Sequence, residues 1–117
     1  MGLDMYLYRN RDQNEEIGYW RKANAIHGWI VENVQNGQDD CEIYEFPLEK
    51  MLELYFLCKK VIKNPIKYQV HLKPMSGCFF GSYDYDVYYI EYLKNTVKIL
   101  EKALKQPQDT YQYQSSW

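Results

Sequence analysis

Three short stretches hold the residues best equipped for chemistry. The first is GYWRKANAIHGW, residues 18–29, which packs two Trp, one Tyr, an Arg, a Lys, an Asn and a His into twelve positions. An arginine fork grips phosphate or carboxylate at two points. The indoles of Trp20 and Trp29 offer flat faces to a base-like ring. His27 titrates where an acid or base must. Placed on a helix, Trp20, Asn24, His27 and Val31 fall near one line beside an Ala23–Ile26–Ile30 stripe. The amide and imidazole then sit at the edge of the core, where a polar group needs a partner or a cavity. Two readings follow. Either Asn24 and His27 bond a loop or strand and fix how the helix docks, or Arg21, Asn24 and His27 line a cleft for a polar, anionic ligand.

The second stretch is NGQDDC, residues 36–41. The adjacent carboxylates of Asp39 and Asp40 suit a cation, a helix cap or a pair with Arg21 or Lys22. Their spacing lacks the alternation of a calcium loop. His27, Cys41, Cys58, His71 and Cys78 are scattered, without zinc-finger spacing, so no metal is expected. Cys58 reads as packing on an apolar helix face.

The third is SGCFFGSYDYD, residues 76–86. Gly77 and Gly81 permit tight or positive-φ backbone. Ser82 or Asp84 could cap the following helix, with Asp84 and Asp86 favouring its positive end. Alternatively the loop's amides face a ligand held by residues 18–29, and Phe79, Phe80 and Tyr83 close over it. The candidate ligand-binding set is therefore Trp20, Arg21, Asn24, His27, Asp39, Asp40, Phe80, Ser82, Tyr83 and Asp84. No catalytic residue is assigned, because no nucleophile is partnered with His27. The chain has no GKS or GKT, GxGxxG, HExxH or GxSxG signature, and no cofactor is expected.

The elements that must position these residues are legible from period. LDMYLYR alternates Leu3, Met5 and Leu7 against Asp4, Tyr6 and Tyr8, which predicts a strand. NRDQNEE, residues 10–16, reads as a polar connection. Ala23, Ile26, Ile30 and Val34 predict a helix over about 19–35, closed by Gly37 in the left-handed region. CEIYEF, residues 41–46, reads as a short strand or extended arm. Pro47 opens a helix that runs to about residue 63, with Leu48, Met51, Leu52, Tyr55, Cys58 and Ile62 inward. YQVHL, residues 68–72, and CFFGS, residues 78–82, read as further strands. The last helix spans about 86–106, with Ile90, Leu93, Val97, Leu100 and Leu104 as its seam. Residues 107–117, polar and Tyr-rich, read as a tail, flexible or docked. The sum is one α+β domain over residues 1–106: about three helices packed on a small, mostly antiparallel sheet.

Bulk properties narrow the classes. At 117 residues the chain fits one domain and can bury a core without disulfides or metal. A formal charge of −2 gives no help toward nucleic acid, and direct nucleic-acid binding is not expected. No apolar run approaches the roughly 20 residues of a spanning helix, so no membrane role is expected. Three Cys without a CxxC pair suit a reducing cytosol. The 13 Tyr, 4 Phe and 3 Trp exceed what one small core holds, so many Tyr should lie at least partly exposed, at rims or on a stacking or self-association surface.

MGLDMYLY, GYWRKANAIHGWIVENVQNGQDDC and GCFFGSYDYD together resemble a family of small phage and prophage accessory proteins of unassigned function. The resemblance runs from Met1 to about Leu104. It implies work in the cytoplasm of an infected bacterium, and it carries over no catalytic residues. Small phage accessory proteins often counter host defence. The expectation is a counter-defence binding protein that sequesters a small anionic, nucleotide-like immune signal without cleaving it, as a homodimer or higher homo-oligomer. A protein–protein inhibitor of a host defence complex, of the anti-CRISPR kind, is the alternative. A small hydrolase using His27 with a carboxylate is the second.

Overall fold

The computed structural model describes residues 2–77 and 80–117. Cys78 and Phe79 lie outside them, and with them the first part of the strand expected over 78–82. In chain order come β1 (Asp4–Arg9), β2 (Asp12–Arg21), α1 (Asn24–Asn33), β3 (Tyr44–Glu45), α2 (Leu48–Lys63), α3 (Pro65–Tyr68), a 3-10 turn (Gln69–His71), α4 (Val87–Leu104) and β4 (Tyr111–Ser116). Among the described residues this makes four α-helices and a four-stranded antiparallel sheet in the order β2-β1-β4-β3. The α+β class holds, with one short helix more than the periodicity suggested.

The first strand forms where its alternation requires, with Leu3, Met5 and Leu7 fully buried. It turns back at once. Arg9 faces Asp12 across a two-residue loop in which Asn10 and Arg11 both take positive φ, 55° and 57°. That is the hairpin turn whose twist matches the strands. The expected polar connection over 10–16 is therefore the start of β2, and its charges sit on an exposed edge strand, where they discourage further pairing.

β2, for which the sequence reading had no strand, also takes in the expected start of the first helix. Tyr19, Trp20 and Arg21 pair with Tyr6, Met5 and Asp4, so they are strand rather than the first turn of a helix. Gly18 and Trp20 point inward while Tyr19 and Arg21 point out. Gly18 is required by packing: a Cβ there would lie 2.3 Å from Ile99 Cγ2 of α4. The helix starts at Asn24, after Lys22 breaks the strand at φ 55°. Gly37 takes its expected left-handed conformation, φ 78°.

Residues 68–71 are helical rather than extended. Pro65 occupies the first turn of α3, and the Asn64 side chain accepts from Lys67 N. Five residues of apparent alternation cannot outweigh that start signal. Phe80–Ser82 form no regular strand. Asp86, rather than Ser82 or Asp84, caps α4, accepting from Tyr89 N at 3.1 Å.

The Tyr-rich segment read as a tail contains β4, the strand that joins β1 to β3. Asp4 faces Ser116 and Arg9 faces Tyr111 along its length. Tyr111, Tyr113 and Ser115 are buried on the inner face of this strand, and period two is hidden by their polar chemistry. The two tyrosines are satisfied by partners: Tyr111 Oη donates to the Ala103 and Gln106 carbonyls and Tyr113 Oη bonds His27 Nδ1. Leu3, Met5, Leu7, Trp20, Tyr111 and Tyr113 meet Ile26, Ile30, Met51, Leu54, Cys58, Leu93 and Leu100 from the helices in a single core. No helix among the described residues is long and apolar enough to cross a membrane.

Candidate functional site

The sequence placed its interest on residues 18–41 and 76–86, and these segments do meet. They meet through Asn24. Its Nδ2 donates to Ser82 O at 2.8 Å and to Phe80 O at 3.1 Å, while its Oδ1 accepts from Met75 N at 3.2 Å. One buried amide thus ties down both ends of the 75–82 loop. Such a group is fully satisfied and has nothing left for a ligand.

His27 is likewise structural. It is fully buried, with Nδ1 2.6 Å from Tyr113 Oη and Nε2 2.8 Å from Asp39 Oδ1. A carboxylate only accepts, so Nε2 carries the proton, and Tyr113 donates to Nδ1. Burial pushes the imidazole pKa below its ordinary value, against the opposing pull of Asp39. Burial also holds the Tyr113 phenol well above its ordinary value. Asp39 Oδ1 accepts a further bond from Trp117 Nε1 at 3.0 Å. Phe80 packs edge-on against the His27 ring and against Trp117, with centroids 5.6 and 6.1 Å away. The expected ligand residues Asn24, His27, Asp39 and Phe80 are therefore a scaffold that locks α1 to the loop, the sheet and the segment after the helix.

Asp40 organises its own turn. It accepts from Glu42 N and from Tyr44 Oη, 2.7 Å away, and that bond pushes the Tyr44 phenol up to about 12. Tyr83 is exposed, and Cys58 is a buried thiol whose pKa burial raises. Among the described residues no three His, Cys, Asp or Glu side chains converge as metal ligands.

What the scaffold supports is a cleft of about 590 Å³ between the end of β2, the loop 81–86 and the first turns of α4. Trp20, Arg21, Ser82 and Asp84 from the sequence reading line it. Lys22, Gly81, Asp86, Tyr88, Glu91, Tyr92 and Asn95 complete it. Trp20 forms part of the wall and is fixed by its Nε1–H, which donates to Thr96 Oγ1 at 2.8 Å. Tyr92 accepts from Ala25 N at 3.2 Å and so holds the start of α1 beside the cleft. Where the two walls cross, the backbones nearly touch. A Cβ on Gly81, whose φ is 97°, would lie 3.0 Å from Lys22 Cβ and 3.3 Å from Lys22 O. Both sides of this crossing have positive φ, a conformation that a non-glycine residue such as Lys22 holds only when its surroundings enforce it.

The cleft is electrically two-sided. Arg21 and Lys22 stand on the strand side, and Asp84, Asp86 and Glu91 on the helix side. Arg21 is weakly held: its Nη1 is 3.5 Å from Asp4, whose carboxylate already accepts from Tyr19 Oη at 2.5 Å. The Ser82 hydroxyl first, and then backbone N–H groups at the start of α4, hold the Asp86 carboxyl below its ordinary range. The α4 contribution of Tyr88, Glu91, Tyr92 and Asn95 was missed because the sequence reading followed only the apolar seam of that helix. Their 0, 3, 4, 7 spacing was the available signal. No family model, curated protein or solved structure matches the chain.

Proposed function

We propose that this protein is a non-catalytic binding protein that holds a small anionic, nucleotide-like ligand in the Trp20–Arg21–Lys22–Tyr88 cleft. In the phage setting implied by the sequence resemblance, the ligand is a nucleotide immune signal of the bacterial host, and binding removes it without cleavage. The observation that carries the reading is the pairing, in one cleft of about 590 Å³, of two accessible cations with aromatic rings. That volume falls within the range of small-molecule sites. Arg21 and Lys22 suit a phosphate. Tyr88, 72 % exposed, offers a ring on which a base can stack. The carboxylates opposite accept from base N–H groups and orient the ligand.

Sequestration needs enclosure and no attacking group. The one histidine that could have served a hydrolase is sealed in the core, bonded at both nitrogens, and does not line the cleft. The test is a thermal-shift panel of mononucleotides, cyclic dinucleotides and ADP-ribose derivatives, with the ligand recovered and weighed by mass spectrometry. Stabilisation by at least one compound, returned intact, supports the reading. A flat panel ends it, and a cleaved ligand transfers the site to the enzymes.

A second reading has its own observation. Tyr83 and Tyr85 in the loop that walls the cleft, and Val87 and Tyr88 at the start of α4, are all exposed, and tyrosine is enriched where interfaces are strongest. A protein–protein inhibitor would dock here, and the substitution Tyr83→Ala with Tyr85→Ala would release a host partner without altering any nucleotide shift.

A further inference from the structure

One face of α2 has no neighbour in the fold. Leu48, Leu52 and Phe56, each one turn from the next, are 38 %, 39 % and 56 % exposed. Beside Phe56 a groove of about 720 Å³ opens, with Ile62 and Val97 in its lining along with Lys59, Lys60 and Lys63. The charges on this face are sorted by sign. Glu49 and Glu53 flank the N-terminal half of the stripe, and Lys59, Lys60 and Lys63 the C-terminal half. Among the described residues Glu49 and the three lysines have no ion-pair partner, and Glu53 pairs only with the neighbouring Lys50 at 3.3 Å. Lys59 and Lys60 rest over the rings of Tyr55 and Tyr68 instead.

A partner for this face needs an apolar stripe with the charges in the opposite order. An antiparallel copy of the same helix has that. We propose that the protein self-associates through α2, a second copy lying antiparallel about a two-fold axis at Phe56. Phe56 then meets its equivalent at the axis and reaches into the groove beside it. Glu53 faces Lys59 of the second copy, Leu52 lies along the Lys60 stem, and Glu49 faces Lys63. Each contact occurs twice, as an isologous interface requires. Glu49 and Glu53 of one copy are the complement of Lys63 and Lys59 of the other, and this selects a second copy over an unrelated helix. A single pair of helices makes a small interface, so the dimer is weak, with a dissociation constant of about 10–100 µM.

Sedimentation equilibrium tests this. The protein is a dimer at about 200 µM, dissociating on dilution, and at about 0.5 M salt it dissociates several-fold more readily because its ion pairs are exposed. Phe56→Asp yields a monomer at every concentration. The side chain is on the surface, so the thermal midpoint of this variant monomer confirms that it is folded. Glu49→Lys with Glu53→Lys, and separately Lys59→Glu with Lys63→Glu, each dissociate at least 10-fold more readily, and a one-to-one mixture of the two variants restores the dimer. A wild-type monomer at about 200 µM overturns the proposal. So does a dimer that survives Phe56→Asp, since it must use another face, and so do charge-reversed variants that fail to recover on mixing.

Discussion

Asn24 Nδ2 donates to Ser82 O at 2.8 Å across 58 residues of sequence. This bond, with its companion to Phe80 O, makes the wall of the cleft depend on a residue that never touches the cleft. The near-isosteric Asn24→Asp replaces two donations with carboxylate-to-carbonyl repulsion while keeping the acceptor for Met75 N. Urea denaturation should show a loss of about 2–4 kcal/mol. Any nucleotide-induced thermal shift should vanish with it. An unchanged midpoint would mean that the loop is held by other contacts.

Arg21 is loosely paired and partly exposed, so its removal should separate binding from folding. Arg21→Ala should move stability by less than about 0.5 kcal/mol. It should weaken an anionic ligand by at least about 10-fold, the worth of one charge-assisted hydrogen bond. Titration calorimetry with the best compound of the panel reads both the affinity and its salt dependence. Equal affinity for wild type and variant would remove the phosphate from the strand side.

Tyr88→Ala is the matching experiment on the ring. Base stacking on an exposed aromatic is worth about 1–3 kcal/mol, so affinity should fall at least several-fold. Tyr88→Phe should retain it, because the contribution is the ring's and not the hydroxyl's. Loss of binding in both variants would point to the hydroxyl instead.

His27 makes stability depend on pH in a definite direction. Burial lowers its pKa in the folded state below the ordinary 6.5. Below pH 6.5 the unfolded chain therefore takes up a proton that the folded chain resists. The imidazole's contribution is whole above that pH and declines as pH falls from 6.5 toward the folded-state value. His27→Gln, which keeps a donor and an acceptor, should be less stable than wild type at pH 7.5. The gap should narrow by pH 5. Parallel stability–pH curves for the two proteins would show that the histidine does not titrate on unfolding.

Much of this architecture was readable where one period dominates. Leu3, Met5 and Leu7 declared β1, and Pro47 declared the start of α2, although its buried face is Met51, Leu54, Cys58 and Val61, while Leu48 and Leu52, expected inward, are exposed. The stretch 18–29 misled because the helical stripe of Ala23, Ile26 and Ile30 was extended backward through Trp20. Trp20 and Arg21 are strand, so they do not share the helical face of Asn24 and His27: the first two line the cleft as expected of ligand-binding residues, while Asn24 and His27, expected beside them, turn into the core. Neighbouring positions that differ in period cannot share one helical projection. Tyr111, Tyr113 and Ser115 misled for another reason. They fill inward strand positions with side chains that look solvent-loving; Tyr111 is satisfied by the nearby carbonyls of Ala103 and Gln106 and Tyr113 by the distant His27, partners that no local pattern reveals. The cleft's α4 wall needed knowledge of which loop docks beside it, and that lies in a buried amide's bonds rather than in any motif.

The place of β4 in the sheet has a kinetic corollary. The strand that joins β1 to β3 is made about 100 residues after β1, so the sheet stays in two pieces until synthesis has passed residue 116. Pairing over such a separation slows folding. During that wait the inner edges of β1 and β3 stand open to any extended chain that arrives, which makes the nascent form the one most exposed to aggregation. A synthetic peptide covering residues 110–117 should be able to fill the same gap in a chain that stops before it.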